Sequence, residues 1–181
     1  MNTPACLPAE ALADRLKAYS LDVSYASDLE RARHTASRIS KYHKCSLYRT
    51  HEVRELKFGD WEELTFTEIQ KQYPSYLENW PNNQADFILP GGESLAELSN
   101  RVCAFIKISL SQHPNETVLV IARGGPNQVI ICLALNLPIN QSWQFQISPA
   151  SISEIEFYSG GTIINYSNDT NHIAAVANNE F

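Results

Sequence analysis

The sequence predicts an α/β fold of three layers, with helices on both faces of a mainly parallel sheet and an antiparallel hairpin at the C-terminal end. Three observations carry that reading. Residues 117–135, TVLVIARGGPNQVIICLAL, pass from an apolar run through Arg-Gly-Gly-Pro into apolar residues at helical spacing, which is a strand, a tight turn and a helix. Residues 21–43 repeat the arrangement: a short strand, a Ser27-Asp28 turn and a helix carrying Arg31 and Arg33 in its first turns. Near the C-terminal end, residues 152–157 and 162–166 flank Ser159-Gly160-Gly161, the pattern of a β-hairpin. Strands beginning near Leu21, Thr117 and Ile152 are expected in one sheet.

In chain order, Pro8 opens a first helix with Leu12, Leu16 and Tyr19 on one face. The strand at 21–26 follows, and Ser27 and Asp28 are candidates to cap a helix running from about residue 29 to 43. Residues 46–50 alternate weakly and read as another strand, after which the chain enters a loop rich in charged and aromatic residues, with Glu55, Phe58, Gly59 and Trp61. Residues 67–73 and 75–80 read as short helical pieces broken at Pro74. Pro90-Gly91-Gly92 is a break before Ser94-Leu95-Ala96-Glu97, the pattern of a capping box, and a long helix with an apolar stripe from Leu95 to Leu110 follows. The strand from Val118 lacks polar alternation and is expected to be buried on both faces. Pro126 suits the first position of the next helix, whose apolar face is Val129, Ile130, Leu133 and Leu137. Residues 1–173 are expected to form one domain, with 174–181 a tail.

A strand, tight turn and helix present the backbone N–H groups of a helix N-terminus at the carboxyl edge of a sheet. Gly124 and Gly125 would let an anion approach that backbone closely, and Arg123 adds a permanent positive charge beside it. The same two glycines would equally serve a tight turn with no ligand. Arg31 sits where positive charge opposes the helix dipole and so calls for a negative ligand, unless it lies in solvent or pairs with the neighbouring Asp28 and Glu30. Glu55 either protonates a leaving group or neutralises the arginines.

The net charge of −6, with no long basic run, argues against a nucleic-acid surface. No apolar stretch approaches the ~20 residues of a membrane span, and the start, Met1-Asn-Thr-Pro, lacks the pattern of a signal peptide, so a cytoplasmic protein is expected. Cys6, Cys45, Cys103 and Cys132 contain no C-x-x-C pair, and neither a metal site nor a disulfide framework is indicated.

Three blocks, Tyr25-Ala-Ser-Asp-Leu-Glu-Arg31-Ala-Arg33-His-Thr-Ala36, Arg54-Glu55-Leu-Lys-Phe-Gly-Asp-Trp-Glu62, and Gly91-Gly-Glu-Ser94 with Arg101-Val102, resemble successive blocks of the histidine phosphatase superfamily, the group that includes phosphoglycerate mutase. Leu89-Pro-Gly-Gly-Glu-Ser94 and Asn168-Asp-Thr-Asn-His-Ile173 are most similar to its α-ribazole phosphatase branch, which dephosphorylates a nucleotide of cobalamin biosynthesis. The resemblance implies a phosphoglycerate mutase-like fold and hydrolysis of a small phosphomonoester through a phosphohistidine, with no cofactor or metal. It implies that Arg31 holds the phosphate and that Glu55 protonates the leaving group. Two departures stand out. The family's first strand, with its Arg-His-Gly motif, has no counterpart ahead of the Pro8 helix, and the family's Ser-His-Gly-Gly is replaced by Ala122-Arg123-Gly124-Gly125.

Both catalytic histidines of the resemblance are therefore absent, and none of His34, His43, His51, His113 and His172 is expected at a strand end facing the Arg123 turn. Two functions follow. The chain is a phosphatase impaired or inactive as it stands, truncated at its N-terminal side relative to the family, or it is a non-catalytic relative or decayed gene product that keeps a phosphate pocket of Arg31, Arg123, Gly124 and Gly125. Without the family's first strand, a slot is expected inside the sheet, with low stability, a homodimer through the open edges, or residues 173–176 filling the gap.

Overall fold

The computed structural model describes residues 6–75 and 85–173. In chain order the elements are α1 (Cys6–Leu16), β1 (Val23–Ser27), α2 (Glu30–Ile39), β2 (Ser46–Thr50), α3 (Phe66–Gln72), α4 (Leu95–Gln112), β3 (Val118–Ile121), α5 (Gly124–Ala134), β4 (Ile152–Tyr158) and β5 (Gly161–Asp169). Single 3₁₀ segments lie at Gly59–Trp61 and Ile139–Gln144. No described helix is long and apolar enough to cross a membrane.

β1 is the middle strand of a parallel three-stranded sheet in the order β2-β1-β3, with Tyr25 opposite Tyr48 on one side and Val120 on the other. Alternation along β3 divides its side chains between two cores. Leu119 and Ile121 pack with Leu12 and Leu16 of α1 and Ala32, Ala36 and Ile39 of α2. Val120 packs with Leu98 and Val102 of α4 and Val129 and Ile130 of α5. Two helices on each face make the three layers, and the α/β class with its C-terminal hairpin is as the sequence indicates.

The expectation that the strand at Ile152 joins this sheet is corrected. β4 pairs with β5 alone, antiparallel, in a separate two-stranded sheet. It nevertheless lies in the same layer, because Ile152 packs on the α1/α2 core while Ile155 packs on the α4/α5 core. β3 therefore has a ladder only toward β1, and β4 only toward β5. The same fact corrects the expected burial of β3: Ile121 is buried, while Val118, Leu119 and Val120 are half-buried beside an edge with no described partner strand. Ile173 lies in a short helical turn, and residues 174–176, offered as a filler for the slot, fall outside the described residues, as does the tail to 181.

Local chemistry accounts for the element ends. Ser94 and Glu97 form the expected capping box on α4, each side chain bonded to the other's backbone N–H. Thr65 and Glu68 do the same for α3, which the sequence reading began one residue late, at 67. The second helical piece there, 75–80, lies outside the described residues from 76 onward. α2 stops at Ile39 rather than 43, and Leu29 stands at its N-cap without a side-chain bond. Asp28 does not cap because both its oxygens accept from Arg54, at 2.6 and 2.5 Å. Pro126 is the third residue of α5, not the first, a position whose missing N–H would also have had no helical partner.

Candidate functional site

β1, β2 and β3 run parallel, so the turns that leave them open at one carboxyl edge. The turn after β3 is only Ala122 and Arg123, and α5 begins at Gly124 with Arg123 at its N-cap. Glu55, from the loop after β2, reaches this helix end. Its Oε1 accepts from the Gly125 N–H at 3.2 Å and from the Leu56 N–H at 2.9 Å, and its Oε2 lies 3.8 Å from Arg123 Nε. The Glu55 side chain is 16% exposed and that of Arg123 is 50% exposed. A carboxylate at a helix N-terminus is stabilised by the helix dipole and the free N–H groups. The half-exposed ion pair adds little, about 0–1 kcal/mol for such geometry.

The anion that the sequence reading sought at this turn is thus supplied, in the first instance, by the protein itself. A Cβ on Gly125 would meet Glu55 Oε1 at 2.2 Å, so this glycine is required by the approach of Glu55. A Cβ on Gly124 would meet nothing within 4 Å. Of the first three helical residues, Pro126 has no N–H and that of Gly125 is engaged by Glu55, which leaves the Gly124 N–H without a partner among the described residues, next to the half-exposed Arg123.

Arg31 lies exposed in the first turn of α2, the helix that follows β1, the strand next to β3. Its side chain joins no ion pair or hydrogen bond among the described residues, so it stands at the same sheet edge without touching the Glu55 and Arg123 pair. Asp28 and Arg54 also sit at this edge, and the hydrogen bond from Arg54 holds the Asp28 carboxyl below its usual range. Arg54 therefore neutralises Asp28, while Arg31 is left without a carboxylate.

The histidines lie elsewhere, with one qualification. His34 is exposed on α2, His113 at the end of α4 bonds Tyr25 Oη at 2.8 Å and Glu116 at 2.7 Å, and His172 contacts the Ala150 carbonyl at 2.9 Å. His43 lies between α2 and β2, half-buried. His51 does follow a strand, β2, but that strand is separated from β3 by β1, and its ring is exposed and 2.9 Å from Glu52. No group of three or more metal-ligating side chains is found among the described residues.

One residue essential to the geometry was quoted in the sequence only as part of a block. Arg101, on α4, donates to Glu93 at 2.7 and 3.2 Å, to the Glu52 carbonyl at 2.6 Å and to the Glu55 carbonyl at 3.1 Å. Its guanidinium ties the backbone that carries Glu55 to the start of α4. Two loops close the other side: Glu93 N–H donates to the Lys57 carbonyl at 3.0 Å and Asp60 N–H to the Pro90 carbonyl at 2.8 Å. Gly59 allows that closeness, since it has φ +58° and a Cβ there would lie 2.1 Å from the Pro90 oxygen. The signal for Arg101 was a charged residue on the first turns of a helix otherwise striped for burial, but two of its four bonds go to carbonyl oxygens, which no side-chain pattern reports.

Comparison with known proteins shows the family and the fold. The chain is 30% identical over 165 residues to phosphoserine phosphatase 1 of Hydrogenobacter thermophilus, covering 91% of this chain and 78% of that one. It is 28% identical over 149 residues to the adenosylcobalamin/α-ribazole phosphatase of Escherichia coli, covering 82% and 73%. Among solved structures, YhfR of Bacillus stearothermophilus superimposes with a TM-score of 0.83 at 25% identity, over 94% of this chain and 86% of that one. The profile of the histidine phosphatase superfamily (branch 1) spans residues 6–170, nearly all of the described structure, and the chain belongs to that superfamily.

Proposed function

We propose that this protein binds a small phosphomonoester at the N-terminus of α5 and, as the chain stands, hydrolyses it negligibly. One observation carries the reading: the side chains at that helix end are Glu55 and Arg123, and none of the five histidines is there. Arg123 retains its proton at any physiological pH, so it can hold a phosphate but cannot attack phosphorus. The family resemblance gives Glu55 the part of passing a proton to a departing alkoxide, a contribution of about 10²–10⁴-fold when a nucleophile is present. The substrates of the relatives support a phosphorylated small molecule, and the motif blocks favour the nucleotide of the α-ribazole branch, acting in the cytoplasm.

Binding should be weak, because the Glu55 carboxylate already holds the Gly125 N–H and repels an incoming phosphate. The specific assay is phosphate release from p-nitrophenyl phosphate, with phosphate binding measured alongside by calorimetry. The expected result is binding that is lost on Arg123→Ala, with no turnover above background. An added N-terminal strand bearing Arg-His-Gly, together with Arg123→His, should restore turnover, and Arg123→His alone should not. Turnover by the unmodified chain that disappears on Glu55→Gln would overturn the proposal and favour a working phosphatase.

A further inference from the structure

Beside Glu55 a cavity of about 450 Å³ opens, within the size range of small-molecule sites. Its walls are mostly apolar and aromatic: Leu56, Phe58, Phe87, Leu95 and Trp143. Two links join it to the anion site. Leu56 is the residue whose N–H holds Glu55, and Gln128 is one turn along α5 from Gly125, so the cavity and the Glu55 carboxylate share a wall.

Phe87 packs its ring against buried Trp61, but the other two aromatic side chains are not there for the core. Trp143 is 72% exposed and Phe58 is 40% exposed, although both line a concave surface. The polar lining is neutral in effect. Gln128 has its amide fixed by a 2.7 Å bond to the Phe145 carbonyl. Glu93, the single charged lining residue described, is held by Arg101 and by the Lys57 N–H. No lysine or arginine is among the described lining residues.

We propose that this cavity receives the leaving group of the phosphomonoester, and that the group it takes is an uncharged planar ring system rather than a small carboxylate-bearing body. The inference rests on the anion site at α5 proposed above. Flat apolar walls with an exposed indole at the rim stack a ring well, whereas a carboxylate would enter beside Glu93 with no cation to receive it. The cavity thus separates two kinds of ester that the phosphate site alone treats alike.

The test is calorimetric titration of the full chain with inorganic phosphate, 3-phosphoglycerate and 1-naphthyl phosphate. Naphthyl phosphate should bind at least about tenfold more tightly than either of the others, the gain expected of one stacked ring. Trp143→Ala should abolish that preference and Trp143→Phe should restore most of it; because Trp143 is exposed, neither change threatens the fold. Equal affinities, or tighter binding of 3-phosphoglycerate, with phosphate binding still sensitive to Arg123→Ala, would overturn the cavity assignment and leave the anion site standing. A naphthyl preference that survives Trp143→Ala would overturn it too. Binding of none of the three would remove the anion site and this inference together.

Discussion

At Gly125 a Cβ would lie 2.2 Å from Glu55 Oε1, whereas at the adjacent Gly124 it would meet nothing within 4 Å. Gly125→Ala must push the carboxylate off the helix end, leaving a partly buried acceptor and an N–H without their partners at a cost of about 1–3 kcal/mol. Gly124→Ala replaces a flexible residue in the first turn of a helix and should be neutral or stabilising by up to ~1 kcal/mol. Urea denaturation of the two variants checks this, and equal midpoints would show that Glu55 is not seated as described. At this scale the sequence was legible where a side chain meets a side chain or a helix end, as for Glu55 and Arg123. It was not legible for the part of Arg101 that ties Glu55 down, because those two acceptors are main-chain oxygens 46 and 49 residues away in the chain.

Ser94 caps α4: its hydroxyl accepts from the Glu97 N–H at 3.1 Å while Glu97 Oε2 accepts from the Ser94 N–H at 2.7 Å. Ser94→Ala removes the bond the hydroxyl accepts and the one it donates to Glu97 Oε2, and should lower stability by about 1 kcal/mol, read as a lower midpoint in thermal or urea unfolding, whereas Ser94→Thr, which keeps the hydroxyl, should retain it. No loss with alanine would mean that tertiary packing alone sets the helix start. The capping box was readable because it is a local pattern of four residues, and the apolar stripes of α4 and α5 because burial repeats with the helical period. Element ends decided by distant partners were not readable: Asp28 would be a good cap, but Arg54 takes both its oxygens, and α2 starts beyond it at Glu30. Nor does a run of four apolar residues reveal whether a strand's second edge is paired, which is why β3 is less buried than its composition suggests.

For the molecule as a whole, β3 and β4 share one layer and both cores but no ladder. The amides of Val118 to Ile121 that point away from β1 should therefore exchange hydrogen much faster than those of β1, which is paired on both sides. Mass-spectrometric exchange resolves this, and equal protection of β1 and β3 would mean that some chain covers the edge in solution. If a second copy does so, protection should rise with protein concentration, the homodimer expected of an exposed edge. Among the described residues no backbone hydrogen bond links the hairpin to the parallel sheet. It is attached through side chains, such as Tyr166 Oη to Tyr19 Oη at 2.7 Å and the Ile152 and Ile155 contacts with the two cores. A ladder allows movement only in whole-residue steps, as a zip does, because each slip breaks every bond at once. A greased seam of side chains has no such teeth, and the hairpin's distance from β3 can follow the volume of whatever methyl groups lie between them, by fractions of an ångström, like a drawer on runners.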